Sequence, residues 1–474
     1  MDSKTVLEHF KKITGIPRES GHEEPMTAYL QSFAVSHNLA CKTDAAGNVL
    51  ITKEAAPGKE NVPAVVLQSH QDMVCEKNAG VLHDFSKDPI KYVVEDGWMI
   101  SKDTTLGADD GIGIAASLAV LESDIPMGKV ECLFTVSEET GLDGAMALQE
   151  GFFSAGTLIN LDSEEEGEFC IGCAGGLNTH AVFSYSTENR KDGYTRLSLK
   201  ISGALGGHSG DDIDKGRMNT VQCMARFLYY ELPYGLQIIM FKGGNKSNAI
   251  ARECEAIIAV PDSDATLERF IAYGKSSKAE FAASDPDVLF TAGYSFINEK
   301  AIDSLTATRL VTALFNCPHG VQAMSKDIPG LVETSTNLAA VRMTEHGKVK
   351  VITSQRSSVN ESKADIAARI RKVFEDAGAE VAHLSEYPGW KPDTDSHILS
   401  ECVKSYKKLF GVEPVVKAIH AGLECGLFLE KFPDLDMISI GPDLLGVHAP
   451  GERLKLSSLD KFVAHLQDVL VNLQ

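Results

Sequence analysis

Glu138 and Glu139 follow the apolar, β-branched run Cys132-Leu133-Phe134-Thr135-Val136 and precede Gly141. The run reads as a buried strand. Successive side chains on a strand point to opposite faces, so two carboxylates leaving its end can face different ways. One could hold a cation while the other carries a proton. In isolation an acidic loop would account for the pair equally well, and the decision lies with other residues. His70 and Asp72 close a second strand-like run, Pro63 to Ser69. An imidazole ligand needs its second nitrogen held by an acceptor, and a carboxylate two residues on can reach it. Asp109 and Asp110 sit between Gly107 and Gly111, ahead of the small-residue helix 112–121. One of these aspartates can cap the helix while its neighbour ligates. Asp162 ends the strand 157–161, and His448 lies in the loop after the strand 435–440. Two imidazoles with three carboxylates and no clustered thiolates suit a pair of borderline divalent ions such as zinc. Five ligands serve two ions if one carboxylate bridges; ions about 3.5–4 Å apart would activate a water and polarise a carbonyl together.

Positioning such a set requires a sheet whose strands end on one side, with helices to cover it. The chain has 474 residues, 43% of them hydrophobic and 23% charged, enough for two or three domains with substantial cores. Its formal net charge of −21 excludes the basic stripe that nucleic acid requires and fits poorly with an anionic membrane. No run of about eighteen apolar residues is present, so no membrane-spanning helix is expected. The start of the chain has neither the basic opening nor the apolar stretch of a signal peptide. Ten scattered cysteines in mostly apolar contexts fit free thiols in the cytoplasm, and the lone Cys170-x-x-Cys173 pair reads as two ordinary thiols.

In chain order, helices are expected at 3–14 and 23–36, a strand pair at 41–52, and central strands at 63–69, 130–137 and 157–161. His83 reads as a surface residue, and Glu164-Glu165-Glu166 as a solvated loop. After about residue 186 the texture changes to antiparallel strands and amphipathic helices, with Ser247–Ala251 and 253–260 adding sheet. Residues 187–393 therefore read as an inserted α+β domain about two strand-helix-strand units long, an internal duplication being open. Pro388 to Pro392 is a stiff return linker. Residues 394–474 then return to the α/β domain begun by 1–186, a mixed central sheet flanked by helices.

Six motifs occur in order: His70-x-Asp72, Ala108-Asp109-Asp110-Gly111, Ser137-Glu138-Glu139-Thr140-Gly141, Leu161-Asp162-Ser163, Gly207-His208-Ser209-Gly210 and Val447-His448-Ala449-Pro450-Gly451-Glu452. As an ordered set spanning the whole chain they resemble the two-zinc metallopeptidases that include carnosinases, peptidase V-like enzymes and bacterial carboxypeptidases. The resemblance implies an exopeptidase-type α/β catalytic domain with an inserted lid. It also implies two Zn2+ per chain, which Mn2+ or Co2+ could replace. Asp109 would bridge the ions, His70 and Asp162 would complete one site, and Glu139 and His448 the other. Asp72 would orient His70, and Glu138 would act as general base on the bridging water and then protonate the leaving amine. In the lid, His208 would stabilise the oxyanion, and Asn248 and Arg356 would hold the peptide's carbonyl and terminal carboxylate. Gly422 and Glu424 would line the substrate pocket. The substrates implied are dipeptides, aminoacyl-histidine types such as β-alanyl-histidine among them, with a deacylase of N-acyl amino acids as the alternative. Relatives supply lid residues either within one chain or from a partner subunit; a homodimer is expected here, in the cytoplasm.

Overall fold

The computed structural model describes residues 1–344 and 347–473. It divides into two compact units: residues 1–172 with 392–418 and 423–474, and residues 173–391 with 419–422. The first boundary falls ahead of the expected 186/187. The reason is the strand Gly175–Ser184, which pairs along its length with Lys348–Ser357 and Glu380–Tyr387 of the second unit. Its alternating pattern fits either sheet; only its pairing partners assign it.

The first unit is built on an eight-stranded sheet. Its spatial order is Ala40–Thr43, Val49–Lys53, Val130–Thr135, Val65–His70, Thr157–Asn160, Asp436–Ser439, Glu168–Cys173 and Val415–Ile419. Val65–His70 runs parallel to both its neighbours, and Asp436–Ser439 parallel to Thr157–Asn160. These four strands therefore end on the same side, where ligands sit in open α/β sheets. Val65–His70 and Val130–Thr135 are buried at every position, the polar Gln68, Ser69, Glu131 and Thr135 included. The helix Ala108–Glu122 is buried on almost all sides and packs on Ser3–Ile13; its alanines and glycines permit the close approach. Asp2 caps the first helix by accepting from the Thr5 amide at 2.9 Å. His83 is buried against Phe85 rather than on the surface, its ring 4.4 Å away edge-on.

The second unit holds a nine-stranded antiparallel sheet in which eight strands make the same motif twice and the ninth, Gly320–Met324, pairs with Val332–Thr344. One copy runs Thr195–Ser202, helix Thr220–Glu231, Gln237–Gly243, Cys254–Val260, helix Ser263–Glu280 and Leu289–Tyr294. The other runs Gly175–Ser184, helix Ser304–Asn316, Val332–Thr344, Lys348–Ser357, helix Asn360–Asp376 and Glu380–Tyr387. Each is strand-helix-strand-strand-helix-strand with its strands in the order fourth, first, third, second. The two copies join through their second strands at Gly243 and Val341. The first copy is inserted between the opening strand and opening helix of the second, so the repeat is nested rather than tandem. Ser247 to Ala251, expected as sheet, is instead a turn: Ala249 makes an isolated bridge with His208, and the Ser247 and Ala249 carbonyls accept from Asn337 Nδ2 of the strand Val332–Thr344.

Asn219 links the copies. It caps the helix Thr220–Glu231 by accepting from the Val221 and Gln222 amides, and its Nδ2 donates to the Leu338 carbonyl at 2.8 Å. Leu338 lies beside a bulge in its strand. Replacing Asn219 by alanine should cost about 2 kcal/mol or more, combining a lost cap with a buried carbonyl deprived of its donor. Denaturant unfolding of Asn219→Ala against the parent checks this.

Candidate active site

Five side chains from the four strand ends and the helix start meet in the first unit. His70 ends its strand; its Nε2 lies 2.9 Å from Asp109 Oδ1 and 3.4 Å from Asp162 Oδ1. His448 Nε2 lies 3.0 Å from Asp109 Oδ2 and 2.9 Å from Glu139 Oε2. Two donor groups result, His70/Asp109/Asp162 and Asp109/Glu139/His448, and Asp109 belongs to both through different oxygens. Glu138 makes a third grouping with His70 and Glu139. The adjacent aspartates divide the work left open above: Asp110 Oδ1 accepts from the Gly113 amide at 3.0 Å, and Asp109 turns into the cluster.

Asp72 is fully buried behind His70, with Oδ1 3.2 Å from its Nδ1. The same carboxylate accepts from the backbone amides of Glu138 and Glu139 at 3.1 and 3.2 Å. It therefore fixes the imidazole and the turn bearing both glutamates. Burial opposes its charge, but the bond and charge of His70 prevail and hold it at about 2. Bonds to Asp109 and Glu139 push His448 up to about 11. Burial opposes the charge of His70 too, yet Asp162, Asp109 and Asp72 raise it well above the ordinary histidine range. Asp162 is pushed well above the usual carboxylate range by burial and by Asp109, against the pull of His70. Burial, with Asp162, Glu424 and Glu139, does the same to Glu138, again against His70. Glu139 Oε1 is buried without a hydrogen-bond partner among the described residues. Carboxylates crowded at this density, one with an orphaned buried oxygen, fit a divalent cation in each donor group. His70 and Asp162 would hold one, Glu139 and His448 the other, and Asp109 both.

The structure also separates residues that shared one expectation. Glu424 is 2% exposed, and its Oε2 accepts from Gln68 Nε2 at 2.6 Å and Thr135 Oγ1 at 2.8 Å. It belongs to a buried polar layer under the strand ends instead of lining an open pocket, and burial pushes it to about 7. Gly422 lies in the second unit, where an added Cβ would stand 3.0 Å from the Tyr387 ring. In that unit Arg356 gathers three partners: Ser209 Oγ at 3.4 Å, Tyr387 OH at 3.3 Å and His208 Nε2 at 3.4 Å. His208 Nδ1 lies 2.9 Å from Asp211. Asn248 is exposed and joins the group through its backbone, its carbonyl accepting from the Ser209 amide at 2.8 Å.

Three of the residues that hold these groups had no role expected from sequence. Tyr387 is one. Glu452 is another: it is 1% exposed, and its carboxylate accepts from the amides of Leu106, Gly107 and Ala108 at 2.6, 2.9 and 2.7 Å, just ahead of Asp109. Its place beside His448 in the last motif was the available signal. The third, Arg18, gave no signal beyond its turn-rich surroundings.

The chain matches the model of Peptidase family M20/M25/M40 over residues 66–472. It belongs to this family. It is 37% identical to the cytosol non-specific dipeptidase of Escherichia coli (strain K12) over 465 residues, covering 97% of this chain and 96% of the relative. Its fold superposes on the crystal structure of aminoacylhistidine dipeptidase from Vibrio alginolyticus with a TM-score of 0.93 and 38% identity, covering 99% of this chain and 96% of the other. An aminopeptidase of Bacillus cereus, 17% identical with a TM-score of 0.59, shares the fold over 99% of this chain and 98% of its own. This M20 peptidase is thus a metal-dependent hydrolase of peptide bonds, with the mixed α/β architecture of its family. Among the described residues no helix is long and apolar enough to cross a membrane.

Because Asp72 holds both the His70 imidazole and the glutamate turn, Asp72→Asn should weaken metal affinity or turnover about 10–100-fold. Zinc competition against a chelator, with kinetics on the loaded variant, reads both effects.

Proposed function

We propose that this M20 peptidase is a cytosolic two-zinc dipeptidase whose substrates include aminoacyl-histidine dipeptides such as β-alanyl-histidine. One observation carries the reading: Asp109 is shared by two donor groups, and Glu138 lies beside them. The names of the relatives similar along nearly the whole chain, a cytosol dipeptidase and an aminoacylhistidine dipeptidase, support the substrate class and the compartment.

Two ions in the donor groups would supply a Lewis acid for the scissile carbonyl and an acidified water. The remaining tasks fall to side chains. Glu138 removes the proton from the attacking water and returns it to the leaving amine; its raised proton affinity suits both directions of transfer. Asp72 keeps the His70 ring oriented. In the second unit, Arg356 offers the fork that binds a peptide's terminal carboxylate, and His208 with Asn248 engages the carbonyl. Zinc is proposed because two imidazoles and three carboxylates suit it, and manganese or cobalt would serve the same donors.

Hydrolysis of β-alanyl-histidine and plain dipeptides, before and after chelation and zinc add-back, tests the proposal. Cleavage should vanish with the chelator, return with zinc at two ions per chain, and favour free-amine dipeptides over their N-acetylated forms. Preference for the acetylated forms would make the protein a deacylase. Glu138→Ala should retain both ions and lose orders of magnitude in turnover.

We also propose a homodimer. Among the described residues the edge strand Leu289–Tyr294 has an unpaired side, and Leu289, Tyr294, Phe296 and Ile297 are exposed beside it, Phe296 by 95%. An open apolar edge of this kind is a template for pairing with another copy. Sedimentation should give twice the chain mass, and Tyr294→Lys with Phe296→Lys should shift it toward one chain.

A further inference from the structure

Residues 18–23, Arg-Glu-Ser-Gly-His-Glu, precede the segment matched by the family model. As a sequence they read only as a turn between two helices. Three of them nevertheless reach the loops that carry the catalytic cluster, each at a different point.

Arg18 is 2% exposed. Its Nη1 donates to the carbonyls of Gln71 and Asp72 at 3.1 and 2.6 Å, and its Nη2 donates to the carbonyl of Gly107. One guanidinium thus ties the loop after His70 to the loop before Asp109. Because its acceptors are carbonyls, it fixes main chain while leaving the ligand carboxylates free for cations. The helix start is shaped around it: a Cβ on Gly111 would stand 2.6 Å from Nη2. Ser20 Oγ donates to Asp72 Oδ2 at 2.7 Å. Glu23 is 6% exposed, and its Oε1 accepts from both the amide and the hydroxyl of Ser137 at 2.9 Å, and from the Gly21 amide at 2.9 Å. Ser137 has a φ of +52°, in the left-handed region that a residue with a Cβ occupies only when its surroundings hold it there. Ser137 is also the hinge between the strand Val130–Thr135 and Glu138.

We propose that Arg18 to Glu23 is a positioning clasp for the reaction: Glu23 holds the Ser137 turn that presents Glu138, and Arg18 holds the Asp72 and Asp109 loops in register. None of these side chains meets substrate. The proposal rests on Glu138 being the general base, and its effects divide accordingly. Loss of the Glu23 contact displaces the proton carrier and lowers kcat, whereas loss of Arg18 loosens the cation ligands and weakens metal retention.

The test uses the full-length, zinc-loaded protein with Glu23→Ala, Glu23→Gln, Arg18→Met, Arg18→Lys and, in parallel, Glu138→Ala. Outer-layer partners of this kind are worth about 10–100-fold, so Glu23→Ala should lower kcat on a dipeptide by about that factor, with KM and bound zinc unchanged. Glu23→Gln, whose amide oxygen can accept the same two bonds from Ser137, should recover most of it. Arg18→Met should release zinc to a chelator about 10–100-fold more readily, and Arg18→Lys, lacking the fork, should recover little. Parent-like kcat in Glu23→Ala beside an inactive Glu138→Ala overturns the clasp and leaves the base standing. An active Glu138→Ala overturns the base assignment itself. Loss of activity in step with loss of folded protein, without rescue by Glu23→Gln, makes the segment merely structural and also overturns the clasp. Should Glu23→Ala not fold, Ser137→Ala removes only the hydroxyl half of the contact. It should then lower kcat several-fold at constant KM, and parent-like kcat there overturns the proposal equally.

Discussion

Carboxylates repel one another, and the repulsion grows as water is excluded. In the first unit Asp109, Glu138, Glu139 and Asp162 are brought together with His70 and His448 among them. Such a cluster is tolerable when cations share it, and the surrounding structure serves to hold it in place for them. Four strands ending on one side bring the residues to a common edge. The buried helix Ala108–Glu122, made of small residues, lets the Asp109 loop descend close to the sheet. Glu452 gathers the amides ahead of Asp109, so even the approach to the aspartate shared by the two donor groups is fixed by a buried carboxylate.

The polar interior beneath this edge is unusually continuous. Ser439 donates to Asn160, Asn160 to Gln68, and Gln68 to Glu424, which also accepts from Thr135. Gln68 and Asn160 each stand two residues before a cluster residue, His70 and Asp162. In a strand that spacing puts them on the same face. Buried polar groups are tolerated only when paired, so this chain of bonds fixes the register of neighbouring strands where ligand spacing is most sensitive. It also accounts for the burial of Glu424, which the family resemblance placed in a pocket but whose partners lie within the sheet.

The second unit reaches a single sheet by a different route. Two copies of one motif, nested in the chain, join at their second strands and leave Leu289–Tyr294 and Glu380–Tyr387 as the outer edges. Arg356 comes from one copy and His208 from the other, so their 3.4 Å approach exists only because the copies are joined. A duplication was open from length alone. Its nesting was hidden, because the opening strand of the outer copy stands before the whole inner one, and that displacement moved the expected boundary past Gly175–Ser184.

Much of the candidate site could be read in the chain because its residues occupy strand ends, and a strand end is a local signal: an apolar run, then a polar residue. His70, Glu139 and Asp162 carried this signal, Asp109 stood at a helix start and His448 in the loop after a strand, and the order of the motifs placed them in a family. What the chain could not reveal were contacts between distant stretches without periodicity. Arg18, Glu23 and Tyr387 carry no local pattern that marks them. Their roles follow from which backbone groups tertiary packing leaves without partners and brings within about 3 Å, the reach of a hydrogen bond. Local hydrophobic pattern and residue chemistry therefore determined the elements and the reacting groups. Only the folded chain decided what holds those groups still, because a hydrogen bond across more than fifty residues leaves no trace in the spacing of either partner.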